Sequence, residues 1–196
     1  MADPAYIVDG VLTDGEAWVA IGSTTVAGSS AADITFTSTD DGQVGDFSQY
    51  MDLVIISYVR STYASTVSDF YMQYSGYTGS NYSYHRMTGE DSTAGATGAA
   101  SDTFIKVSSI QSDAGLSGAA NYGGLIVDIL DYRNGSKNTT VVGTSGLTEA
   151  PIGKNRMTFF SGLWDNVAAV TSIVLAPSAG SNFIRGSEFT LYGIQE

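Results

Sequence analysis

The chain has 196 residues, with 20 Asp and Glu against 8 Lys and Arg, a net charge of −12 and no cysteine. That balance counts against duplex DNA or RNA as a partner, because such binding draws most of its affinity from Lys and Arg set against phosphates. The missing thiols exclude a disulfide framework, a Cys-based zinc site and a cysteine nucleophile.

Charged residues make up only 14% of the chain while Gly numbers 23 and Tyr 12, a profile of many strands and tight turns in a single domain. The acidity favours solubility at high local concentration and permits attraction to a basic partner surface. Residues 1–16 read as an extended N-terminal arm. Its Tyr6, Ile7, Val8, Val11 and Leu12 exceed what a solvated tail needs, so the arm packs either on its own domain or on a neighbouring subunit. The opening MADPAYIVDG lacks a basic n-region and an apolar h-region, and no apolar run reaches the ~18 residues of a membrane span. The expectation is a soluble product of the cytoplasm with no membrane partner. The glycosylation-type triplets at Asn81, Asn134 and Asn138 then read as turn residues.

Residues 17–196 form the expected domain. Strands are predicted at Ala17 to Ile21 and at Asp33 to Ser38, where Ile34 and Phe36 alternate with Thr35 and Thr37. Thr39 to Asp46 is a turn-rich loop. From Tyr50 to Arg60, Leu53, Ile55 and Val59 point one way and Val54, Ile56 and Tyr58 the other, which predicts a central strand covered on both faces, outside by an arm, a loop or another subunit. Val67 to Tyr74 and Asn81 to Thr88 read as a tyrosine-rich hairpin around Ser-Gly-Tyr-Thr-Gly-Ser. Glu90 to Ser101 is a small-residue surface loop. A short strand at Thr103 to Val107 and a helical turn at Ser109 to Ala114 follow. Gly124 to Tyr132 is apolar at nearly every position, and the Asn134-Gly135 pair predicts a positive-φ hairpin turn into Thr139 to Val142.

The final stretch alternates most clearly. Met157 to Trp164, Val167 to Ala176 and Ser187 to Ile194 are parted by turn residues, and Phe189 and Leu191 share one face of the last strand. Tyr50 to Arg60 and Gly124 to Tyr132 are the expected partners of these strands. About ten short strands without an internal repeat predict an all-β, antiparallel β-sandwich of jelly-roll type.

Ser181, Asn182, Phe183, Gly186, Ser187, Phe189, Leu191, Tyr192, Gly193 and Ile194 spell a Gly-Ser-Asn-Phe turn followed by Gly-Ser-x-Phe-x-Leu-Tyr-Gly-Ile. This resembles the C-terminal part of jelly-roll virion proteins of tailed bacteriophages, including head-decoration, fibre and tail-tip proteins. The resemblance implies a subunit on the exterior of a virion, synthesised in the host cytoplasm, with the major capsid protein or another virion protein as partner. A compact domain without a shaft or coiled coil favours decoration or cement over a fibre, with self-association as a homotrimer.

Catalytic templates fail on inventory. His85 is the lone histidine, no Gly-x-Ser-x-Gly elbow presents a serine, and Asp128 and Asp131 lie on opposite faces of one strand. Asp40, Asp41 and Asp46 occupy a glycine-punctuated loop that is either a calcium site or, as ordinary turn chemistry has it, a plain turn. The expectation is a non-enzymatic protein with no cofactor or metal. Tyr74, Tyr77, Tyr82 and Tyr84 are candidates for an aromatic platform receiving a host glycan or a protein, which gives the alternative expectation of a receptor-binding module of a tail tip or head fibre; otherwise they pack across the strand pair.

Overall fold

The computed structural model describes residues 7–8, 11–12, 17–39, 45–113, 121–149, 154–178 and 180–195. In chain order the strands are β1 (Ile7–Val8), β2 (Val11–Leu12), β3 (Trp18–Thr25), β4 (Ser30–Ala31), β5 (Ile34–Thr37), β6 (Asp52–Ser61), β7 (Val67–Tyr74), β8 (Tyr82–Glu90), β9 (Thr93–Asp102), β10 (Ile105–Ser112), β11 (Gly123–Leu130), β12 (Thr139–Glu149), β13 (Lys154–Trp164), β14 (Ser172–Pro177), β15 (Phe183–Ile184) and β16 (Glu188–Ile194). A single 3-10 turn, Phe47–Gln49, is the only helical element among the described residues. Its N-cap is Asp46, whose carboxylate accepts from the backbone N–H of Ser48 at 2.9 Å and so satisfies a donor the helix leaves open.

The strands make an all-β sandwich. A broad layer runs β3-β16-β6-β11-β12-β13-β8-β9, antiparallel throughout, and a narrow layer runs β5-β14-β7-β10. The layers join where the end of β6 turns the corner: Arg60 and Ser61 pair in parallel with Gln111 and Ser112 of β10, and Ser61 also meets Phe183 of β15. Between the layers, Leu53, Ile55, Val127, Ile129, Phe189 and Leu191 of the broad layer meet Phe70, Met72, Ile105, Ile173 and Leu175 of the narrow one, all fully buried. Each such side chain contributes roughly 1.5–3 kcal/mol through burial.

The alternation of the last strand is realised as predicted, with Phe189, Leu191 and Gly193 inward and Glu188 outward. That strand is not an edge. It lies between β3 and β6, pairing Leu191 with Ile55 and with Gly22. The expected contact with 50–60 is therefore present, whereas the segment 124–132 is reached only across β6, on whose other side β11 lies.

Four local expectations are corrected. β7 and β8 are not a hairpin: β7 pairs with β10 and β14, β8 with β13 and β9, and residues 75–81 carry the chain from one layer to the other. The small-residue segment expected as a loop is strand β9. Small side chains bury little, yet the ladder from Glu90↔Thr93 to Tyr82↔Asp102 occupies the backbone hydrogen bonds on that side, and backbone pairing alone suffices to define a strand. The helical turn expected at Ser109 to Ala114 is strand β10 up to Ser112, where Ser108, Ser109, Gln111 and Ser112 are all buried; Ala114 lies outside the described residues. The Asn134-Gly135 pair does not take positive φ. Asp131 does, at φ 56°, and Asn134 forms an Asx turn instead, its Oδ1 accepting from Ser136 N at 3.0 Å.

Candidate functional site

The structure moves the predicted tyrosine platform into the core. Tyr74 and Tyr82 are fully buried and Tyr84 is 9% exposed; only Tyr77 reaches solvent, at 40%. Three of the rings close around Trp164, with centroids at 5.5 Å for Tyr74, 6.3 Å for the stacked Tyr82 and 5.9 Å for Tyr77, while the Tyr84 ring lies under Lys106 Nζ at 5.9 Å. The Tyr82 hydroxyl accepts from Tyr74 N at 3.0 Å and donates to Tyr77 O at 2.9 Å, pinning the crossing between layers. Burial pushes the Tyr74 phenol well above its usual range, with Tyr82 adding to the effect, and burial likewise raises Tyr82. These rings hold the fold together, so a ligand would have to open the core to stack on three of the four.

The other candidates separate as well. Ile7 and Val8 pair with Leu12 and Val11 in a short antiparallel ladder, which is more local structure than an extended arm has; Tyr6 lies outside the described residues. So do Asp40 and Asp41, whereas Asp46 is buried at the 3-10 turn. No cluster of metal-ligating side chains occurs among the described residues, nor does any helix there have the length and apolarity to cross a membrane. His85 stands exposed on β8, opposite Ser161 and Gly98.

Charge concentrates between the layers at one end. Asp69 on β7 receives Arg86 Nη1 at 2.9 Å and Lys106 Nζ at 2.9 Å, and Arg156 reaches Glu90 at 2.5 Å. Burial works against the Lys106 ammonium, but its hydrogen bond to Asp69 and that carboxylate's charge outweigh it, so its pKa is raised. These groups staple β7 and β10 to β8, and Glu90 joins β8 to β13.

The surface most open to a partner is the outward face of the broad layer. Register lines up two rows of side chains across it. The first runs Ile56, Ile126, Thr144, Phe159, Met87 and Ala96, each opposite the next on the neighbouring strand. The second runs Tyr58, Gly124, Gly146, Met157, Gly89 and Ala94. Cross-strand neighbours on one face stand ~5 Å apart, so the first row is a ridge. The second is a trough between bulky posts, since nothing lies within 4 Å of a Cβ built at Gly89, Gly124 or Gly146. Ile56, Ile126, Tyr58, Met157, Phe159 and Met87 are between 38% and 61% exposed. Neither row holds a charged residue from β6 to β9.

An open groove of about 530 Å³ lies here, lined by Ile56, Tyr58, Gly124, Ile126, Gly146 and Met157 among others. Tyr58 stacks on Tyr122 with centroids 5.2 Å apart, and Tyr122 Oη donates to Arg185 O at 2.6 Å, so this post is fixed before any partner arrives. The outward apolarity of Ile56 and Tyr58 is legible in the sequence. Ile126, Phe159, Met157 and Met87 join them only through register, although the unbroken apolar runs containing Ile126 and Phe159 carry a signal of their own. No family model, curated protein or solved structure matches the chain.

Proposed function

We propose that this chain is a non-enzymatic structural subunit of a phage particle, a decoration or cement protein on the exterior of the shell that is held in its assembly through the outward face of the broad layer. The observation that carries the assembly part is the uncharged apolar double row between β6 and β9, on a chain whose net charge is −12. A monomer that exposes so large an apolar patch gains free energy by covering it. The resemblance of the segment from Ser181 to Ile194 supplies the virion part. Burying apolar strand faces in the assembly while the arm and loops meet shell proteins stabilises a particle by mass action, because the bound form is the folded form.

The test is the copy number in purified particles, measured by quantitative mass spectrometry. Hundreds of copies place the protein on the shell as proposed. A handful places it in the tail and overturns decoration, and absence from particles overturns the virion reading.

A further inference from the structure

We infer that the outward face of the broad layer is covered by a second copy of this chain, packed face to face about a twofold axis running along the two rows. This rests on the reading of that face as an assembly surface and adds who occupies it and how. The area is sufficient. The six large side chains of the rows together expose roughly 600 Å², at the top of what a monomer's largest apolar patch usually offers. With the threonines and alanines of the same rows the face approaches the ~800 Å² per partner of a standard interface.

The shape is self-complementary. Residues two apart on a strand stand ~7 Å apart along it, so ridge and trough are adjacent parallel lines. A half-turn about an axis midway between them sets each copy's ridge over the other's trough, strand for strand. Ile126 then falls over Gly124, Thr144 over Gly146 and Met87 over Gly89, large or medium side chains above open glycines. Phe159 meets Met157, a favourable sulfur–aromatic pairing, and Ile56 meets the Tyr58 ring. Sheets stacked ~10 Å apart need such large-on-small matching.

The flanking rows also meet each other, Asp128, Val142 and Ser161 of one copy lying toward Tyr122, Thr148 and Asn155 of the other. The uncharged stretch from β6 to β9 matters because two acidic chains approach without burying a carboxylate there; Glu188 of β16, opposite Tyr58 and at the end of the same groove, stands exposed at its rim. Strand β9, exposed along nearly all its length, contributes Ala94 and Ala96 to the same rows, so the pairing also covers one face of the least supported strand. An isologous contact of this kind closes at two copies, in place of the trimer expected from the resemblance.

Sedimentation velocity on the full chain over a range of concentrations tests this, with thermal melts followed by circular dichroism in parallel. The wild type is expected to dimerise. Gly124→Thr with Gly146→Thr fills the trough, where a Cβ meets nothing in the single chain, and is expected to weaken the dimer at least ~30-fold while leaving the monomer's melting temperature unchanged or higher. Phe159→Lys with Met87→Lys should do the same from the ridge side. A wild type that stays monomeric at high micromolar concentration, a trimer mass, or a dimer indifferent to both double variants overturns the inference. Incorporation into particles separates the two readings: a monomeric wild type whose ridge variant is lost from particles sinks the second copy and keeps the assembly surface. Unchanged incorporation of that variant sinks the assembly surface, and with a monomeric wild type it sinks both.

Discussion

The two faces of the broad layer are built from the same residue types and end in opposite states. Inward, Ile55, Val127, Phe160 and Phe189 are at most 5% exposed; outward, Ile56, Ile126, Phe159 and Met87 range from 38% to 61%. Glycine shows the contrast best. On the inner face, glycine makes room for the chain's own side chains: a methyl at Gly193 would stand closer than 3.0 Å to three atoms of the Tyr50 ring, and one at Gly162 would strike Ile105. On the outer face Gly89, Gly124 and Gly146 make room for nothing in the chain. Apolar patterning thus does not tell the two faces apart, and only the folded register shows which of them the chain itself covers.

The largest expected difference between the faces is in truncation of a phenylalanine. Phe189→Ala removes a fully buried ring that sits 4.8 Å from Phe183 in an edge-to-face contact, and should cost about 3–5 kcal/mol. Phe159→Ala, in dilute protein, should change stability by no more than ~0.5 kcal/mol, as exposed substitutions do. Urea unfolding of both variants measures this, and equal losses would erase the distinction between the faces.

Glycine substitution gives the next effect. Gly193→Ala overpacks the Tyr50 ring and should destabilise by about 1–3 kcal/mol. Gly124→Ala and Gly146→Ala should be neutral or stabilise by up to ~1 kcal/mol, since a strand glycine gives up more backbone entropy than alanine does. A stable Gly193→Ala protein would mean that Tyr50 moves aside freely and that the inner face is less tightly specified than its packing implies.

How much of this was legible depends on which side chains a strand buries. The last strand and β6 announce themselves because apolar residues alternate or fill both phases. β10 does so only at its start, where the strand expected at Thr103 to Val107 overlaps it over residues 105–107; beyond that its buried side chains are largely hydroxyls and an amide: Ser108 bonds to Ser145, Ser109 lies 3.5 Å from both Arg86 Nη1 and Arg156 Nη1, and Gln111 Nε2 donates to Ser112 O at 3.2 Å. A polar core strand reads as surface until its partners are known. β9 escapes for the converse reason, having no buried side chain of size to mark it. The candidate site was half legible: Ile56 and Tyr58 stood out as apolar residues facing away from the core, but the residues beside them come from five other strands, and register across strands is not written in periodicity.

Alkaline pH probes the inner face as a whole. Burial raises the phenols of Tyr74, Tyr82 and Tyr132, Tyr82 adding to the rise at Tyr74. An unfolded tyrosine ionises near pH 10, so above that pH the folded chain retains protons that the unfolded chain has released, and stability falls as pH rises. The contribution is complete below pH 10 and declines by up to ~1.4 kcal/mol per pH unit for each such tyrosine. Lys106, its pKa also raised through Asp69, loses its contribution in the same direction as pH climbs through its folded value. Urea midpoints should hold steady up to about pH 9.5 and drop steeply by about pH 11; a flat or rising profile there would contradict the burial of these hydroxyls.

The smallest effect separates two tyrosines by what their hydroxyls hold. Tyr132 Oη donates to Phe47 O and lies 2.5 Å from Tyr50 O, tying the end of β11 to the 3-10 turn before β6. Tyr132→Phe keeps the ring and its edge contact with Phe47, whose centroid is 6.4 Å away, but leaves both carbonyls without this donor, a loss of about 1–1.5 kcal/mol. Tyr58→Phe changes an outward ring that is 49% exposed and should leave monomer stability within ~0.5 kcal/mol of wild type. The dimer should also survive that change, because the ring's apolar area meets Ile56 of the second copy and its hydroxyl is not required there. If Tyr58→Phe abolished self-association while Tyr132→Phe left stability untouched, the outer face would be working through polar contacts, and the contrast between a hydroxyl that holds the fold and one that does not would have to be reversed at these two positions.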